Sequence, residues 1–190
     1  SLVAVPQGLS PEDSEEILFQ VLSGARAVFD SEGVTLLGGH TTTAPELLVG
    51  FSVDGYVNER ILTIDRLAVG DCLLLTKSLG TGVLLHADMQ GCVTGAWLQK
   101  AFDSMLESNM HVARLLPKLD VTAVTDITGF GLIGHLGELL RTSGVSAVVD
   151  VSTLPALPGS VELMALGYRS TFHSENEKSK KGILIRDEAA

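Results

Sequence analysis

Three short aliphatic runs that each lead into a glycine-rich loop constrain the fold of this chain most strongly. They are bounded by turn-forming residues and span 34–37, 73–76 and 121–125. Apolar runs of this length and setting are typical of buried strands. Helical patterns of apolar residues lie between and beside them, at 10–29, 94–116 and 132–140. Ser10 and Pro11 predict the start of the first helix and Gly33 its end, and the second helix is expected to break near Asn109. Strands that alternate with helices in this way predict an α/β fold.

The composition agrees with helices layered on a sheet. Hydrophobic residues make up 45% of the chain but aromatic residues only 5%, so the core must be built from aliphatic side chains. Aliphatic strands covered by helices meet that requirement. A turn at Val69-Gly70-Asp71 separates two different strand contexts. We therefore expect a domain boundary there, with residues 1–70 in one domain and 71–190 in the next.

The charge balance narrows the possible partners. Lys and Arg total 13 against 23 for Asp and Glu, a formal net charge of −10. Such a chain is a poor match for nucleic acid, although it can bind a nucleotide when a divalent metal bridges the two acidic partners. No apolar run approaches the roughly 18 residues of a membrane span. With no signal peptide visible either, we expect a cytoplasmic protein.

The two cysteines carry no recognisable reactive pattern. Cys72 and Cys92 lack Cys-x-x-Cys spacing, and neither stands beside a histidine or a basic residue that would favour the thiolate. Cys72 belongs to an aliphatic run, so we expect it to be buried. We assign no catalytic residue to this chain.

The loop that starts at Asp126 is the strongest candidate for chemistry. It reads Asp126-Ile127-Thr128-Gly129-Phe130-Gly131 and joins a predicted strand to a predicted helix. Mg²⁺ prefers one or two carboxylates together with phosphate oxygens, and glycines let a backbone approach phosphate closely. The alternative is that Asp126 caps the helix and the glycines serve only the turn. From the residues alone the two interpretations are about equal.

Two other loops are weaker candidates. Gly38-Gly39-His40 with Thr41 could bind phosphate or ribose, but a plain polar loop is the simpler interpretation. Lys77 suggests a phosphate contact in the loop 76–82, which lacks the spacing of a Walker A motif. The polar tail, residues 170–181, is expected to be an exposed loop.

Taken in order, these loops resemble the selenophosphate synthetase (selenide, water dikinase) family. The resemblance rests on the Gly-Gly-His at Gly38, on the loop 76–82, and on the stretch from Thr125 to Leu136. It extends over about residues 6–166. The family belongs to the aminoimidazole ribonucleotide synthetase superfamily, so the resemblance implies part of a two-domain fold of that type.

The resemblance also implies an activity and a set of site residues. Family members make selenophosphate, AMP and orthophosphate from selenide, ATP and water, as homodimers. By resemblance, Asp126 binds Mg²⁺ near the ATP phosphates. Gly38, Gly39, His40 and Thr41 contact ATP that is held mainly by the partner subunit. Residues 1–70 are the later part of an ATP-binding and dimerisation domain, and residues 71–190 are an incomplete C-terminal domain.

Departures from the family pattern bear on activity. Ser78 stands where the family usually has proline, and Thr41 where it often has serine. The threonine-rich version resembles a branch fused behind a pyridine-nucleotide-disulfide oxidoreductase. The family's segment with a reactive cysteine or selenocysteine has no match, so we expect an internal fragment that is inactive alone. Alternatives are another ATP-dependent enzyme of the superfamily, or a non-catalytic dimerisation or nucleotide-binding domain.

Overall fold

A computed structural model describes residues 1–57, 60–182 and 184. Helices and a small mixed sheet confirm the α/β class. The chain divides into two compact units, Ser1–Asn58 and Glu59–Ala190. The strands are β1 (Leu2–Pro6), β2 (His40–Ala44) and β3 (Leu48–Gly50). The helices are α1 (Pro11–Glu32), α2 (Thr81–Met89), α3 (Gly95–Leu106), α4 (Met110–Ala113), α5 (Gly131–Ser143), α6 (Ser160–Ala165) and α7 (His173–Asn176). Short 3-10 helices span Leu116–Lys118, Val151–Thr153 and Glu177–Lys180.

The first unit is a three-stranded sheet with one long helix. β1 lies in the middle, parallel to β2 and antiparallel to β3. The helix α1 connects the two parallel strands and packs against β1, as a parallel crossover requires. Val3, Ala4 and Val5 of β1 are buried. The sequence patterns did not predict β1, although it is the central strand.

Helix α1 begins and ends where its sequence predicts. The Ser10 hydroxyl accepts a hydrogen bond of 3.0 Å from the backbone nitrogen of Asp13, and Pro11 occupies the first helical position. Gly33 ends the helix in the left-handed conformation, with φ of 70°. These are the cap residues that leave fewest helix-end groups without partners.

The second unit is mainly helical in its described residues. α2, α3 and α6 surround a core of five residues, which are Leu84, Ala87, Ala101, Leu157 and Leu163. The loop before α2 is attached to the segment before α6, since Leu79 and Ala156 form a parallel bridge. Trp97 of α3 packs directly against Gly159, where any side chain would overlap the indole ring.

The predicted strands 34–37, 73–76 and 121–125 are wrong for the described structure. Neither 34–37 nor 73–76 contains a strand, and within 121–125 only Ala123 forms an isolated bridge, to Thr63. An apolar pattern says which residues suit burial on a sheet, but a strand also needs a neighbouring backbone to bond with. The strand that does follow the first run begins later, at His40.

Two further predictions have opposite outcomes. The predicted break near Asn109 is confirmed, because α3 ends at Leu106 and α4 starts at Met110. The predicted burial of Cys72 is wrong, because Cys72 and Cys92 are both exposed free thiols. Across the described residues, no helix combines the length and apolar character needed to cross a membrane.

Candidate functional site

The Asp126 loop (residues 126–131) lies directly before α5, and its carboxylate does not cap that helix. The N-cap position belongs to Phe130, which makes no side-chain capping bond, and α5 begins at Gly131. Asp126 is exposed. Within the described ranges, its carboxylate takes part in no hydrogen bond or ion pair. The capping alternative is therefore excluded, and the carboxylate oxygens face solvent.

His135 holds the middle of the loop from the next helix. Its Nε2 atom lies 3.1 Å from the backbone nitrogen of Thr128, which donates to it, and 3.1 Å from the Thr128 hydroxyl. A ring nitrogen that accepts a backbone N–H carries no proton of its own, so this bond corresponds to the tautomer with its proton on Nδ1. The loop closes on itself as well, because the Gly131 nitrogen donates to the Thr128 carbonyl at 2.9 Å.

Asn176 holds the same loop from the other side. Its Nδ2 atom donates to the carbonyl oxygen of Gly129 at 3.0 Å, across 47 residues of sequence. The ring of Phe172, at the start of α7, lies close enough to Gly129 to be 3.7 Å from a Cβ placed there. The tail was predicted to be an exposed loop; most of its residues are exposed, but the prediction of a loop is wrong. Residues 173–180 are helical and pack on α5, because the loop and α5 offer them both hydrogen bonds and a surface.

Several other aspartates of this unit accept hydrogen bonds, whereas the carboxylates of Asp126, Asp88 and Asp120 accept none among the described residues. The Thr122 hydroxyl donates to the Asp71 carboxylate at 2.6 Å and, with the Ala68 backbone N–H, lowers the pKa of Asp71. The Ser152 hydroxyl and backbone N–H lower the pKa of Asp150 in the same way. These two carboxylates organise loops, whereas the Asp126 carboxylate is exposed and makes no hydrogen bond among the described residues.

The side chains of this loop can supply one ligand to Mg²⁺, the Asp126 carboxylate. An exposed carboxylate on a glycine-rich loop matches the preference of Mg²⁺ for one or two carboxylates plus phosphate oxygens. In the part of the chain that the structure describes, no three His, Cys, Asp or Glu side chains gather into a metal-binding group. Asp126 would therefore supply one ligand beside oxygens from elsewhere.

The Gly38–Thr41 segment lies at the amino end of β2 instead of following a strand. The backbone nitrogen of His40 donates to the Ser1 carbonyl at 2.9 Å. A Cβ on Gly39 would lie 2.5 Å from that same carbonyl oxygen, so glycine is required there by close backbone approach. The side chains of His40 and Thr41 are exposed.

Thr41 borders a groove of about 300 Å³ between α1 and the sheet. The groove is lined mainly by apolar atoms and hydroxyls, from Val5, Ser14, Glu15, Leu18, Thr41, Thr42 and Thr43. The structure therefore places Thr41 beside its neighbouring threonines on one strand. A role of this segment in nucleotide binding stays a prediction.

Lys77, for which the sequence suggested a phosphate contact, binds two backbone carbonyls in this structure. Its Nζ atom donates to the carbonyl oxygens of Ser104, at 3.1 Å, and of Glu107. Both carbonyls lie at the C-terminal end of α3, where backbone oxygens lack partners within the helix. A cation also interacts favourably with the negative end of a helix. Lys77 thus caps α3 in this structure.

Sequence reasoning missed both side chains that hold the Asp126 loop. The sequence patterns assigned no site role to His135, and Asn176 falls in the tail that was predicted to be an exposed loop. A signal for His135 did exist, because helical side chains tilt toward the N-terminus and can reach the preceding loop from the first turns. No signal of this kind existed for Asn176, since its contact depends on tertiary structure.

The chain is similar to known proteins over most of its length. A family model described as "AIR synthase related protein, C-terminal domain" matches residues 68–184, more than half of the chain. The chain is 42% identical over 143 residues to a selenide, water dikinase of Colwellia psychrerythraea, covering 75% of this chain and 42% of the relative. It is 37% identical over 152 residues to the protein of that name from Pelobacter propionicus, and 38% over 153 residues to that from Yersinia pestis. Those two alignments each cover 80% of this chain and 44% of the relative, so the chain spans less than half the length of these relatives.

Proposed function

Because this chain belongs to the family of AIR synthase-related proteins, we propose that it forms part of an ATP-dependent selenophosphate synthetase. The reaction is the conversion of selenide, ATP and water to selenophosphate, AMP and orthophosphate. Similarity to proteins named selenide, water dikinase supports this over three quarters or more of the chain. The observation that carries the proposal is the exposed Asp126 carboxylate on a loop held by two other side chains.

The Asp126 carboxylate would help to hold Mg²⁺ near the ATP phosphates. A bound divalent cation neutralises the charge that phosphoryl transfer develops on phosphate oxygens. Residues of this chain orient the Asp126 carboxylate. Thr128 and Gly129, two and three residues further on, are held by His135 and Asn176, so the loop is shaped before any ligand arrives.

Gly38, Gly39, His40 and Thr41 contact ATP across a homodimer interface. The exposed hydroxyl of Thr41 and imidazole of His40 can both bond to phosphate or ribose oxygens. The same unit has large apolar side chains on its surface, among them Leu48, at 57% exposure, and Val49, at 45%. Burial of such side chains favours association. Light scattering that shows a monomer at high concentration would contradict the dimer.

The remaining assignments follow from the same family relationship. Residues 1–70 form the later part of the ATP-binding and dimerisation domain, and residues 71–190 the C-terminal domain. The protein works in the cytoplasm, where ATP is abundant and exposed thiols such as Cys72 and Cys92 stay reduced. Fusion to an oxidoreductase stays a prediction from the threonines that follow His40.

Asp126→Asn in the full-length protein tests the proposal. The substitution keeps the shape of the side chain and removes the charge, and Asp126 is exposed, so the fold should be retained. Selenophosphate formation, followed by phosphorus NMR, should fall at least about tenfold because metal-bridged charge is a large part of phosphoryl-transfer catalysis. The half-saturating Mg²⁺ concentration should rise.

Asp120→Asn is the matched control. Asp120 is six residues upstream and fully exposed, and its only described contact is an ion pair of 4.0 Å with Arg60. Asp120→Asn removes the same charge as Asp126→Asn. Its activity should stay within about twofold of wild type, because exposed ion pairs contribute little to stability. Equal activity and equal Mg²⁺ dependence for Asp126→Asn and wild type would contradict the metal assignment. Absence of selenophosphate synthesis by the wild-type protein would contradict the proposed reaction.

A further inference from the structure

A gain in folding stability does not explain why asparagine stands at position 176. Its Nδ2 atom donates to the Gly129 carbonyl, while its Oδ1 atom is buried and has no hydrogen-bond partner among the described residues. A neutral hydrogen bond contributes about 1 kcal/mol, and a buried unpaired oxygen costs about 1–3 kcal/mol. Asparagine at this place is thus neutral or unfavourable for folding, and a residue of the same shape without the oxygen would avoid the cost.

A hydrogen bond to the Gly129 carbonyl can orient the whole Asp126 loop. Gly129 lacks a Cβ and is followed by Phe130, whose exposed ring contacts His135 with centroids 6.0 Å apart. Its neighbour Thr128 is bound through the backbone nitrogen to His135. Two peptide groups of the loop, 127–128 and 129–130, are therefore each held by a side chain, one from α5 and one from α7.

We propose that Asn176 is a positioning residue, which fixes the Gly129 peptide and thereby the direction of the Asp126 carboxylate toward a divalent cation. This inference rests on the proposed function in taking Asp126 as the cation ligand. Partners that orient a ligating residue affect metal affinity by about 10–100-fold when removed. Asn176 acts through three intervening residues, so we expect about threefold to tenfold.

The primary variant is Asn176→Leu in the full-length protein. Leucine has nearly the same shape, removes the donor to Gly129 and also removes the unpaired oxygen. Mn²⁺ serves as a paramagnetic probe of the cation site, with its dissociation constant measured by electron paramagnetic resonance. We expect the Mn²⁺ dissociation constant to rise about threefold to tenfold, while the melting temperature stays equal or increases.

Amide hydrogen exchange gives a readout that needs no cation. The Thr128 and Gly131 amides are both bonded within the loop. In Asn176→Leu these amides should exchange at least about threefold faster, while amides in the core helices α2 and α3 keep their rates. Asn176→Gln retains the amide donor on a longer side chain and should restore part of both effects. Glu175→Gln is the matched control, since Glu175 lies on the same helix and its side chain bonds, among the described residues, only to Lys178, at 2.5 Å.

The outcomes separate this inference from the proposed function. If Asp126→Asn weakens Mn²⁺ binding and Asn176→Leu does not, the positioning role is wrong. If Asn176→Leu lowers the melting temperature and leaves exchange and Mn²⁺ binding unchanged, Asn176 is merely structural and the proposal is overturned. If Asp126→Asn does not affect Mn²⁺ binding, Asp126 is not the ligand and the proposed function loses its metal site. In the double variant, the effect of Asn176→Leu on Mn²⁺ binding should vanish, because it acts through Asp126.

Discussion

The Nε2 atom of His135 accepts the backbone N–H of Thr128 at 3.1 Å, and this bond links α5 to the loop that precedes it. Seven residues separate the two, and the bond reaches over the first turn of the helix. It satisfies a backbone donor that lies just outside the helix. It also holds the peptide nitrogen two residues after Asp126, so a side chain of the helix restrains the loop that carries this carboxylate.

We predict that His135→Phe loosens the Asp126 loop at moderate cost in stability. Phenylalanine keeps a ring beside Phe130 but cannot accept the Thr128 N–H. The free energy of unfolding should fall by about 1 kcal/mol, the typical net value of one hydrogen bond. Urea denaturation measures this, and exchange of the Thr128 amide should accelerate. His111→Gln, at an exposed position on α4, should leave both unchanged. Equal protection of the Thr128 amide in wild type and His135→Phe would show that the bond is absent in solution.

We predict that Lys77→Met destabilises the second unit, because Lys77 caps α3. The variant loses two hydrogen bonds to helix-end carbonyls, and we expect a cost of about 1–2 kcal/mol in urea denaturation. Lys100→Met is the comparison, since in the described part of the chain Lys100 makes only an exposed ion pair, with Asp103 at 3.4 Å. Its cost should be below about 0.5 kcal/mol. A stability loss no greater for Lys77→Met than for Lys100→Met would reopen a ligand role for Lys77.

We predict that Gly159→Ala disrupts the packing of α6 on α3. Gly159 has φ of 85°, which disfavours a side chain, and a Cβ would lie 2.6 Å from Cγ of Trp97. Backbone strain and overpacking together should cost about 2–5 kcal/mol, measured by chemical denaturation. Gly167→Ala separates the two terms, because Gly167 also has positive φ, 98°, but has open space around it. It should cost about 1–2 kcal/mol, from strain alone. Similar losses for the two variants would mean that Trp97 does not contact Gly159 as described.

We predict that the contribution of Thr122 to stability depends on pH. Its hydroxyl is the largest cause of the lowered pKa of Asp71. A carboxyl with a lowered pKa in the folded state stabilises the fold above its unfolded pKa, about 3.9, and loses that effect as pH falls through the folded value. The difference in unfolding free energy between wild type and Thr122→Val should therefore be largest near neutral pH and shrink below about pH 4.

The control for this pH dependence is Thr153→Val. The Thr153 hydroxyl donates to the backbone carbonyl of Asp150, at 2.8 Å, and to no carboxylate. Its effect on stability should be nearly constant over the same pH range. A Thr122→Val effect that is equally constant would contradict the bond to Asp71.

We predict that the 190-residue chain alone makes no selenophosphate. It spans 42–44% of the length of its relatives, and phosphoryl transfer needs nucleotide, metal and nucleophile held together. Phosphorus NMR of pure chain with ATP, Mg²⁺ and selenide should show no product above a reaction without protein. A product signal that grows with chain concentration and disappears in Asp126→Asn would place the whole catalytic centre within these residues.

Local features of this protein could be predicted from the sequence because they depend on neighbours along the chain. Ser10, Pro11 and Gly33 determine where α1 begins and ends, and each acts within a few residues. The break at Asn109 and the glycine-rich turn after Asp126 are local in the same sense. The resemblance to a family also depended on local motifs read in order.

Tertiary structure decided the features that join distant segments. The run 73–76 looks like a strand, but pairing requires a second backbone, which an apolar pattern cannot specify. The sequence left open whether Asp126 caps a helix or faces solvent, and the start of α5 at Gly131 decided it. Lys77 could have bound phosphate, but the end of α3 lies beside it. Asn176 reaches Gly129 only because residues 173–176 fold back on α5, a long-range contact whose free energy depends on the whole unit and leaves no trace in local sequence.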